Sequence, residues 1–459
     1  MLLSRLISTV KTASLFVCLF VAACGPDMPA PERTVANTGL AQDFAENMEV
    51  KAPESLATTE EVGGEKIIVA LLLPLSGSEA EIGQALLRSA TMALFDAYDP
   101  RLVLLPLDTK ANVADAEKVA QQALDEGASI VLGPLLAGNV SAAGKVLEGS
   151  GVPLIGFSND SAVAAPGRFI MGFLPELEVK RVVDYAVSLG LVEHAALVPD
   201  GRYGNRVREA FGDAVSAAGA TIAAIESYPP DPEAVFEPVK RLSNYDSRRK
   251  EMRDEIRFLR SLGDDVTDEI ANELSKSEVL EGVSYDAVLL PEGGELLKTL
   301  GPLLPFYEID PNKIKLLGTG LWNDDSLLRE PPLQGAFFAA PDPAAPHAFL
   351  ARYAETFGVE PPRITTLAYD AMALVALLAR EESLLGDNGN RLSRFSSEVL
   401  MSETGFSGLD GLFRFLPDGT IERALAVLEV NRRGFQVVDA APAAFPSFGY
   451  ALRQAVSQE

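Results

Sequence analysis

The chain has 459 residues, of which 47% are hydrophobic, 65 are acidic and 39 are basic, so its formal net charge at pH 7 is −26. So acidic a surface repels nucleic-acid phosphates and anionic lipid headgroups, which argues against nucleic-acid binding and against direct docking on such a membrane. About 395 residues follow position 65, enough for two domains with sizeable cores.

The chain begins with the pattern of a bacterial lipoprotein signal peptide. Arg5 and Lys11 make a positive segment, and residues 13–23 are apolar or small, a run too short to span a bilayer. The sequence VAAC that ends at Cys24 matches the lipobox, in which the cysteine sulfur takes a diacylglyceryl group. We therefore predict a signal peptide over residues 1–23 and lipidation of Cys24. The alternative is an ordinary secretory signal that contains a cysteine.

Residues 24–65 have the composition of a tether. They are rich in Pro, Glu, Ala, Thr and Asn and lack a sustained period of 2 or 3.6, which indicates a disordered segment behind the lipid anchor. Each buried CH2 of an acyl chain contributes about 0.8 kcal/mol, so several chains on Cys24 would hold the protein on a membrane. Gly25 resembles the residue of lipoproteins that continue to an outer membrane. The predicted location is therefore the periplasmic face of the envelope, at the outer membrane.

Removal of the signal peptide would take Cys18, Arg5 and Lys11 away. The mature chain would then have a net charge of −28 instead of −26 and no free thiol or disulfide.

From residue 66 onward, short apolar strands alternate with helical patterns. The predicted strands of the first block are 66–73, 102–108, 128–133, 152–158 and 169–176, with helices over 79–98, 114–126 and 137–147. After residue 173 the alternation restarts, with strands over 194–200, 221–227, 285–294 and 313–320 and helices over 179–189 and 203–218. This alternation indicates βαβ units. The predicted fold class is α/β, with two doubly wound parallel-sheet lobes and a cleft between them.

Residues 229–281 interrupt this alternation with a charged helical insert in the second lobe. Met252, Ile256 and Leu259 fall on one helix face, and a basic stripe falls on another. We call this set the arginine stripe; its members are Arg249, Arg253, Arg257 and Arg260. Two interpretations are open. The stripe is either a solvated helix face or a surface for a protein partner.

Catalytic motifs are weak in this sequence. The two histidines, His194 and His347, stand in unrelated contexts, and His194 at a strand start favours a structural role. The sequence GFSGL at 405–409 lacks the second glycine of a nucleophile elbow, and there is no phosphate-binding loop or His/Cys metal cluster. We therefore expect a protein that is not an enzyme and that has no cofactor and no metal site.

Several stretches, in order, resemble the type I periplasmic binding protein family. They are IIVALLLPLSG, VLGPLLAGNVSAAGKVLEGSGVPLIGFSND, ALVPDGRYGNRVREAF, YDAVLLPEGG, LLGTGLW and GFSGLDGLFRFLPDGTIERALAVLEV. The family includes leucine/isoleucine/valine-type solute receptors of ABC transporters. The lipobox, the tether and the insert make the chain similar to the lipoprotein branch called penicillin-binding protein activators.

The resemblance implies a domain division and a ligand cleft. Lobe 1 would comprise 66–172 and 344–404, lobe 2 would comprise 173–343 and 405–440, and 441–459 would be a tail. A cleft ligand would lie at the carboxyl ends of the strands. The positions that match the family's cleft are Ser76, Gly77, Ala137, Gly138, Asn139, Ser158, Asn159, Asp160, Tyr203, Glu292, Thr319 and Trp322. Each of them taken alone is also a common cap or turn residue.

Two departures from the amino-acid receptors are visible. Ala137-Gly138 stands where hydroxyls hold the ligand carboxylate in those receptors, and Thr319-Gly320 stands where an acid holds the ammonium. An unpaired ammonium in a closed cleft is costly, so we expect no tight binding of free branched-chain amino acids. Two functions follow from the resemblance. One is a contact regulator of a peptidoglycan synthase, anchored to the membrane through lipid on Cys24; the other is a receptor for a small polar solute.

Overall fold

The computed structural model describes residues 65–276, 282–381, 384–385 and 391–447. The predicted signal peptide, the predicted lipidation site at Cys24, residues 24–64 of the predicted tether and residues 448–459 of the predicted tail lie outside these ranges. Within them the chain forms two α/β lobes, each with its own central sheet.

The sheet of the first lobe has five parallel strands among the described residues. They are β1 (Ile67–Leu73), β2 (Leu102–Asp108), β3 (Ile130–Leu132), β4 (Leu154–Gly156) and β5 (Arg168–Ile170), in the spatial order β2-β1-β3-β4-β5. The helices that connect the first four strands are α1 (Ala80–Ala97), α2 (Val113–Asp125) and α3 (Ala137–Leu147), and a 3-10 turn, Ser161–Val163, follows β4. Parallel strands bring their carboxyl ends to one edge, where a ligand site of an open α/β sheet lies.

The second lobe has a mixed sheet. Its strands are β6 (Glu193–Pro199), β7 (Thr221–Tyr228), β8 (Ala287–Leu289), β9 (Lys315–Gly318), β10 (Phe337–Ala340), β16 (Ala426–Asn431) and β17 (Gly434–Asp439). Their spatial order is β17-β16-β10-β9-β8-β6-β7. Within this described sheet β16 pairs antiparallel with both β10 and β17, and the other neighbouring strands pair parallel. Its helices are α4 (Pro175–Ser188), α5 (Arg202–Ala217), α6 (Phe236–Leu242), α7 (Tyr245–Ser261), α8 (Asp265–Lys276) and α9 (Gly294–Phe306). Short 3-10 helices at Gly320–Trp322, Asp325–Arg329 and Pro331–Leu333 follow β9.

The remaining elements complete the first lobe. They are α10 (His347–Phe357), α11 (Thr365–Ala379), β11 (Leu384–Leu385), β12 (Arg391–Leu392), α12 (Ser397–Leu400), β13 (Phe406–Gly408), β14 (Gly411–Phe415) and β15 (Ile421–Arg423). Helix α11 packs against α1, and β13, β14 and β15 form a small antiparallel sheet.

The hydrophobic cores follow from strand alternation. In β6, Ala195 and Leu197 pack into the core on one face of the second sheet, while Ala196 and Val198 pack into the core on the other face. Successive strand residues point to opposite faces, so a buried strand covered by helices on both sides must be apolar throughout. The first lobe has its own core, which reaches from β1 to α11. The predicted α/β fold with parallel sheets is confirmed.

One predicted boundary differs from the structure. We expected the chain to return to the second lobe at residue 405, but Phe413, Phe415 and Ile421 of the small sheet are buried in the core of the first lobe. The chain joins the second sheet only at β16, which pairs with β10. The family resemblance assigned residues 405–423 to the second lobe, but their strands form a separate sheet over the first lobe.

Candidate cleft and partner surfaces

The loop after β1 is organised by a carboxylate from the neighbouring strand. Asp108, the last residue of β2, accepts hydrogen bonds from Ser76 Oγ at 2.6 Å, from the Leu75 N–H at 2.8 Å and from the Lys110 N–H at 2.9 Å. Burial by itself would raise the pKa of Asp108, but the hydrogen bonds from Ser76 and the backbone outweigh burial and lower that pKa. Gly77 has a φ of +86°, which suits glycine. The Ser76 hydroxyl, a predicted cleft group, therefore already has a hydrogen-bond partner in Asp108.

The start of α3 is close-packed. A Cβ on Gly133, in the loop before it, would lie 2.2 Å from the Leu72 carbonyl oxygen, so only glycine fits there. Ala137 and Gly138 open the helix, which has no side-chain cap, and Asn139 is buried. Backbone N–H groups at such a helix start favour an anion. The structure thus places these three residues at the carboxyl edge of the first sheet without a hydroxyl among them.

Charged side chains join the two lobes where β4 ends. Asp160 Oδ2 accepts a hydrogen bond from Arg202 at 2.6 Å, and the Asn159 carbonyl accepts one from Arg206 at 2.7 Å. Arg206 also donates through Nε to Glu176, in the first turn of α4, at 2.9 Å. Asp160 and Asn159 belong to the first lobe and the other three to the second. We call Asp160, Glu176, Arg202 and Arg206 the lobe latch.

Two predicted cleft residues of the second lobe carry buried hydroxyls. Tyr203 OH and Thr319 Oγ1 have no hydrogen-bond partner among the described residues. Burial raises the pKa of Tyr203, and the nearby Thr319 hydroxyl opposes that shift. Since a buried hydroxyl without a partner costs free energy, this pair is the part of the cleft most able to bind a polar ligand group.

Sequence reasoning missed Glu178, an acid at the turn after β9. Its Oε2 accepts a hydrogen bond from the Gly320 N–H at 3.0 Å, and a Cβ on Gly320 would lie 2.4 Å from its Oε1. Burial raises the pKa of Glu178 to about 7, against the opposing effects of the Gly320 N–H and of Arg363 and Arg423. The turn after β9 contains no acid in its own sequence, and α4 supplies one, Glu178. The glycine at position 320 was the sequence feature that could have indicated this close contact.

The remaining cleft candidates of the second lobe, Trp322 and Glu292, form hydrogen bonds within that lobe. Trp322 is fully buried in the core, where its Nε1 donates to the Leu290 carbonyl at 3.2 Å, so it is not a cleft residue. A wide ring is accommodated because Gly318 has no Cβ. Glu292 accepts a hydrogen bond from Tyr228 OH at 2.8 Å.

Buried charges lie beside the crossing between the lobes. Arg363 and Arg423 stack on the ring of Phe173, with guanidinium carbons 4.8 and 5.2 Å from its centroid. Arg363 pairs with Asp410 at 2.5 Å, and Asp370 accepts from the Leu409 N–H at 2.7 Å. Burial, together with the neighbouring Asp410, raises the pKa of Asp370 to about 7.

The insert forms a helical hairpin of α7 and α8 whose arginine stripe is exposed. Several of the arginines have local contacts: Arg249 stacks on Tyr245, Arg257 pairs with Asp254 and Arg260 reaches Asn272 at 3.4 Å. At 100° per residue, Arg249, Arg253, Arg260 and Ile256 fall within about 60° of one another. The stripe therefore lies beside the apolar face of α7, and its arginines are exposed where Met252, Ile256 and Leu259 are half-buried.

The hairpin also carries exposed apolar side chains that sequence reasoning did not single out. We call them the apolar tip: Phe258, Leu262, Val266 and Ile270, with exposed fractions of 61%, 51%, 65% and 43%. Such a group of exposed apolar residues near the bend of a hairpin is typical of a contact surface.

The remaining findings concern His194, metal binding and membrane-spanning helices. His194 is buried, and its Nε2 lies 2.9 Å from the Leu191 carbonyl, so it serves the packing of β6. Across the part of the chain that the structure describes, no group of three or more His, Cys, Asp and Glu is placed to hold a metal ion. Among the described helices, none has the length and apolar character needed to cross a membrane.

Residues 66–246 match the model of the periplasmic binding protein family. An uncharacterized protein of Rickettsia prowazekii is 25% identical over 182 residues, which cover 39% of this chain and 48% of that protein. Penicillin-binding protein activator LpoA of Vibrio antiquarius is 28% identical over 149 residues, which cover 31% of this chain and 24% of that protein. The matches therefore span about half the length of the first relative and about a quarter of the second.

Solved structures extend the likeness to most of the chain. A branched-chain amino acid ABC transporter protein from Rhodospirillum rubrum has a TM-score of 0.61 at 19% identity, with 81% of this chain and 100% of that chain covered. A solute-binding protein of an ABC transporter from Rhodopseudomonas palustris, in complex with 3,4-dihydroxybenzoic acid, has a TM-score of 0.54 at 18% identity, with 84% and 98% covered. This chain has the type I periplasmic binding protein fold, and its residues 66–246 match the model of the periplasmic binding protein family.

Proposed function

We propose that this protein is a lipid-anchored periplasmic regulator, not an enzyme, that activates a peptidoglycan synthase of the penicillin-binding protein class by direct contact. The observation that carries the proposal is the lobe latch. Asp160 and the Asn159 carbonyl are cleft positions of the first lobe, and both are bonded to arginines of the second lobe. A cleft whose polar residues bind each other is suited to hold the two lobes in one arrangement.

The surroundings of Glu178 support the same function. A solute receptor needs unpaired polar groups that bind its ligand, because the ligand must replace the water that it displaces. Here the acid of the second lobe is bonded to the Gly320 N–H, and Glu292 is bonded to Tyr228. Ser76, Asp160 and Glu292, three polar cleft positions that sequence reasoning selected, likewise have partners within the protein.

The insert supplies a surface suited to a protein partner. Helix α7 buries no residue and α8 buries only Ala271, so most of the hairpin faces solvent. It combines the arginine stripe with the apolar tip, a combination of charge and apolar area that is common where proteins meet. The similarity to penicillin-binding protein activators and the predicted lipid on Cys24 favour a peptidoglycan synthase as the partner.

The test reverses the charge of the stripe. The stripe variant carries Arg249→Glu, Arg253→Glu, Arg257→Glu and Arg260→Glu. A control variant with the same charge change carries four substitutions of exposed first-lobe or α4 lysines: Lys66→Glu, Lys118→Glu, Lys145→Glu and Lys180→Glu. We expect the stripe variant to keep its melting temperature and to lose binding to the synthases of the envelope and activation of their glycan polymerisation, while the control keeps both. Full activation by a folded stripe variant would remove the insert from the contact.

Binding to any synthase tests the proposal itself. Cross-linking in intact envelopes followed by co-purification should recover a penicillin-binding protein with this chain. Recovery of a permease of the ABC type in its place would overturn the proposal.

The second candidate is a receptor for a small polar solute. The unpartnered hydroxyls of Tyr203 and Thr319 favour it, because they could bind a polar ligand group. Calorimetry with leucine and valine separates the candidates, with a leucine receptor measured alongside as a positive control. We expect no binding, and a micromolar Kd would promote the receptor.

A further inference from the structure

The hairpin between β16 and β17 has two arginines at its tip. Asn431 pairs with Gly434, so Arg432 and Arg433 alone form the loop. Two-residue hairpin loops favour Gly, Asn or Asp, because their backbone needs residues that tolerate unusual φ angles. Arginine brings no such advantage, and both side chains are exposed. The folding of the hairpin therefore does not explain why two long cationic residues stand here.

These arginines differ in their charge environment from Arg181 and Arg241 of the same lobe. Arg181 pairs with Asp439 at 2.8 Å, and Arg241 pairs with Glu226 at 2.8 Å. Arg432 and Arg433 form no ion pair with any residue in the described ranges. In a chain of net charge −26, where carboxylates outnumber basic groups, two adjacent unneutralised guanidinium groups make a local positive site.

A concave surface lies beside the loop. It has a volume of about 750 Å³, and no carboxylate is among the described residues that line it. Phe435 forms part of its wall and is held edge-on against Phe338, with ring centroids 5.1 Å apart. The polar lining consists of amides: Asn431, Gln334 and Gln436. We call this surface, together with Arg432 and Arg433, the hairpin pocket.

The chemistry of the lining selects a class of ligand. A guanidinium binds a carboxylate in two parallel hydrogen bonds, and two of them side by side can hold more than one acidic group. Side-chain amides both donate and accept, as required for sugar hydroxyls, and an aromatic ring offers apolar surface to the C–H face of a sugar. The Nε2 of Gln334 is already bonded to the Leu328 and Glu330 carbonyls, so its oxygen is oriented as an acceptor.

We propose that the hairpin pocket binds a glycan that carries carboxylates. This inference rests on the proposed function for the identity of the glycan, which is then the peptidoglycan strand made by the partner synthase. An acidic protein segment would also be drawn to two arginines, but it would make less use of the amides and the aromatic wall.

The test uses three soluble probes and the full chain. They are uncrosslinked peptidoglycan strands with their acidic peptide stems, chitotetraose as a related neutral glycan, and poly-glutamate as an acidic chain without sugar. We expect the peptidoglycan strands to bind, to bind more weakly as salt is raised, and to bind about tenfold or more weakly to Arg432→Ala/Arg433→Ala. Chitotetraose and poly-glutamate should bind at least about tenfold more weakly than the strands.

The control is Lys118→Ala/Lys145→Ala, which removes the same charge from α2 and α3 and should bind the strands like the wild type. No binding of the strands, binding unaffected by the arginine substitutions, or equal binding of poly-glutamate would each overturn the proposal. The arginine-stripe variant should still bind the strands, and Arg432→Ala/Arg433→Ala should still bind the synthase. Failure of the glycan site is therefore distinguishable from failure of the proposed function.

Discussion

Arg202 on α5 of the second lobe donates a hydrogen bond to the carboxylate of Asp160 in the first lobe, at 2.6 Å. The arginine side chain is 78% exposed, whereas the Asp160 side chain is only 12% exposed. Arg206 follows one helical turn later, is 16% exposed, and lies 3.6 Å from the same carboxylate. The lobe latch thus has an exposed member and a half-buried member, and these should contribute differently.

The first prediction concerns that difference. Arg206→Ala removes the half-buried member, so the Asn159 carbonyl loses this donor and Glu176 keeps only its bond from Ser161 Oγ, which costs about 1–3 kcal/mol. We expect a lower melting temperature and a larger radius of gyration by small-angle X-ray scattering, because the lobes separate. Arg202→Ala is the matched control and should change both little, since exposed ion pairs contribute about 0–1 kcal/mol. An Arg206→Ala protein with the scattering of the wild type would show that the latch does not set the lobe arrangement.

The second prediction concerns the anchor. Cys24→Ser removes the predicted lipid acceptor, so the protein should leave the membrane fraction when envelopes are separated by centrifugation. Intact mass of the wild type should show a lipid-modified amino terminus at Cys24. A membrane-bound Cys24→Ser protein would contradict the predicted localisation.

The third prediction concerns the contact between Gly320 and Glu178. A methyl at position 320 would meet the buried Glu178 carboxyl and displace it from the Gly320 N–H, so Gly320→Ala should destabilise by about 1–3 kcal/mol. Gly212→Ala on α5 is the control, because a Cβ there meets no atom and a helical alanine is favoured. Urea denaturation gives both values. The double variant Gly320→Ala/Glu178→Ala should be more stable than the sum of the single changes predicts, and strict additivity would contradict the contact.

The fourth prediction concerns pH. Burial raises the pKa of Glu178 from 4.5 to about 7 and that of Asp370 from 3.8 to about 7. At pH values between the ordinary pKa and the raised pKa, each group binds more protons in the folded chain than in the unfolded chain. The two groups therefore lower the free energy of unfolding as pH rises from about 4 to 7. Glu178→Gln, which stays uncharged, should flatten the decline of melting temperature over this range. An unchanged pH profile in Glu178→Gln would show that Glu178 titrates normally.

The alternation of short apolar runs with helical patterns predicted most elements, because each pattern reports a local property of the chain. The observed β2, Leu102–Asp108, and α3, Ala137–Leu147, have the predicted bounds. Strands β3, β4 and β5 end earlier than predicted, and β3 and β4 also start later, since the apolar runs extend beyond the paired residues. Residues 405–423 were assigned to the second lobe by the family resemblance, and no local pattern of the sequence shows which sheet or core a strand joins.

The candidate site was harder to predict, because its contacts join distant parts of the chain. Asp160 was selected from its position after a strand, but its partner Arg202 comes from a separate element. Glu178 resembles any acid in the first turn of a helix, and only the fold brings it to Gly320. Trp322 follows a strand as a cleft residue would, yet its large apolar ring is more stable in the core.

The helical hairpin of α7 and α8 stands between β7 and β8. Strand β7 is at the edge of the second sheet, and the hairpin buries only Ala271 within its own helices. Its base is fixed by Tyr245, whose ring packs edge-on against Tyr307. A segment attached in this way can lengthen, shorten or disappear during evolution while the order of the strands stays the same. Replacement of this one hairpin would therefore change the partner surface without changing the fold. Length differences among relatives should be concentrated between β7 and β8.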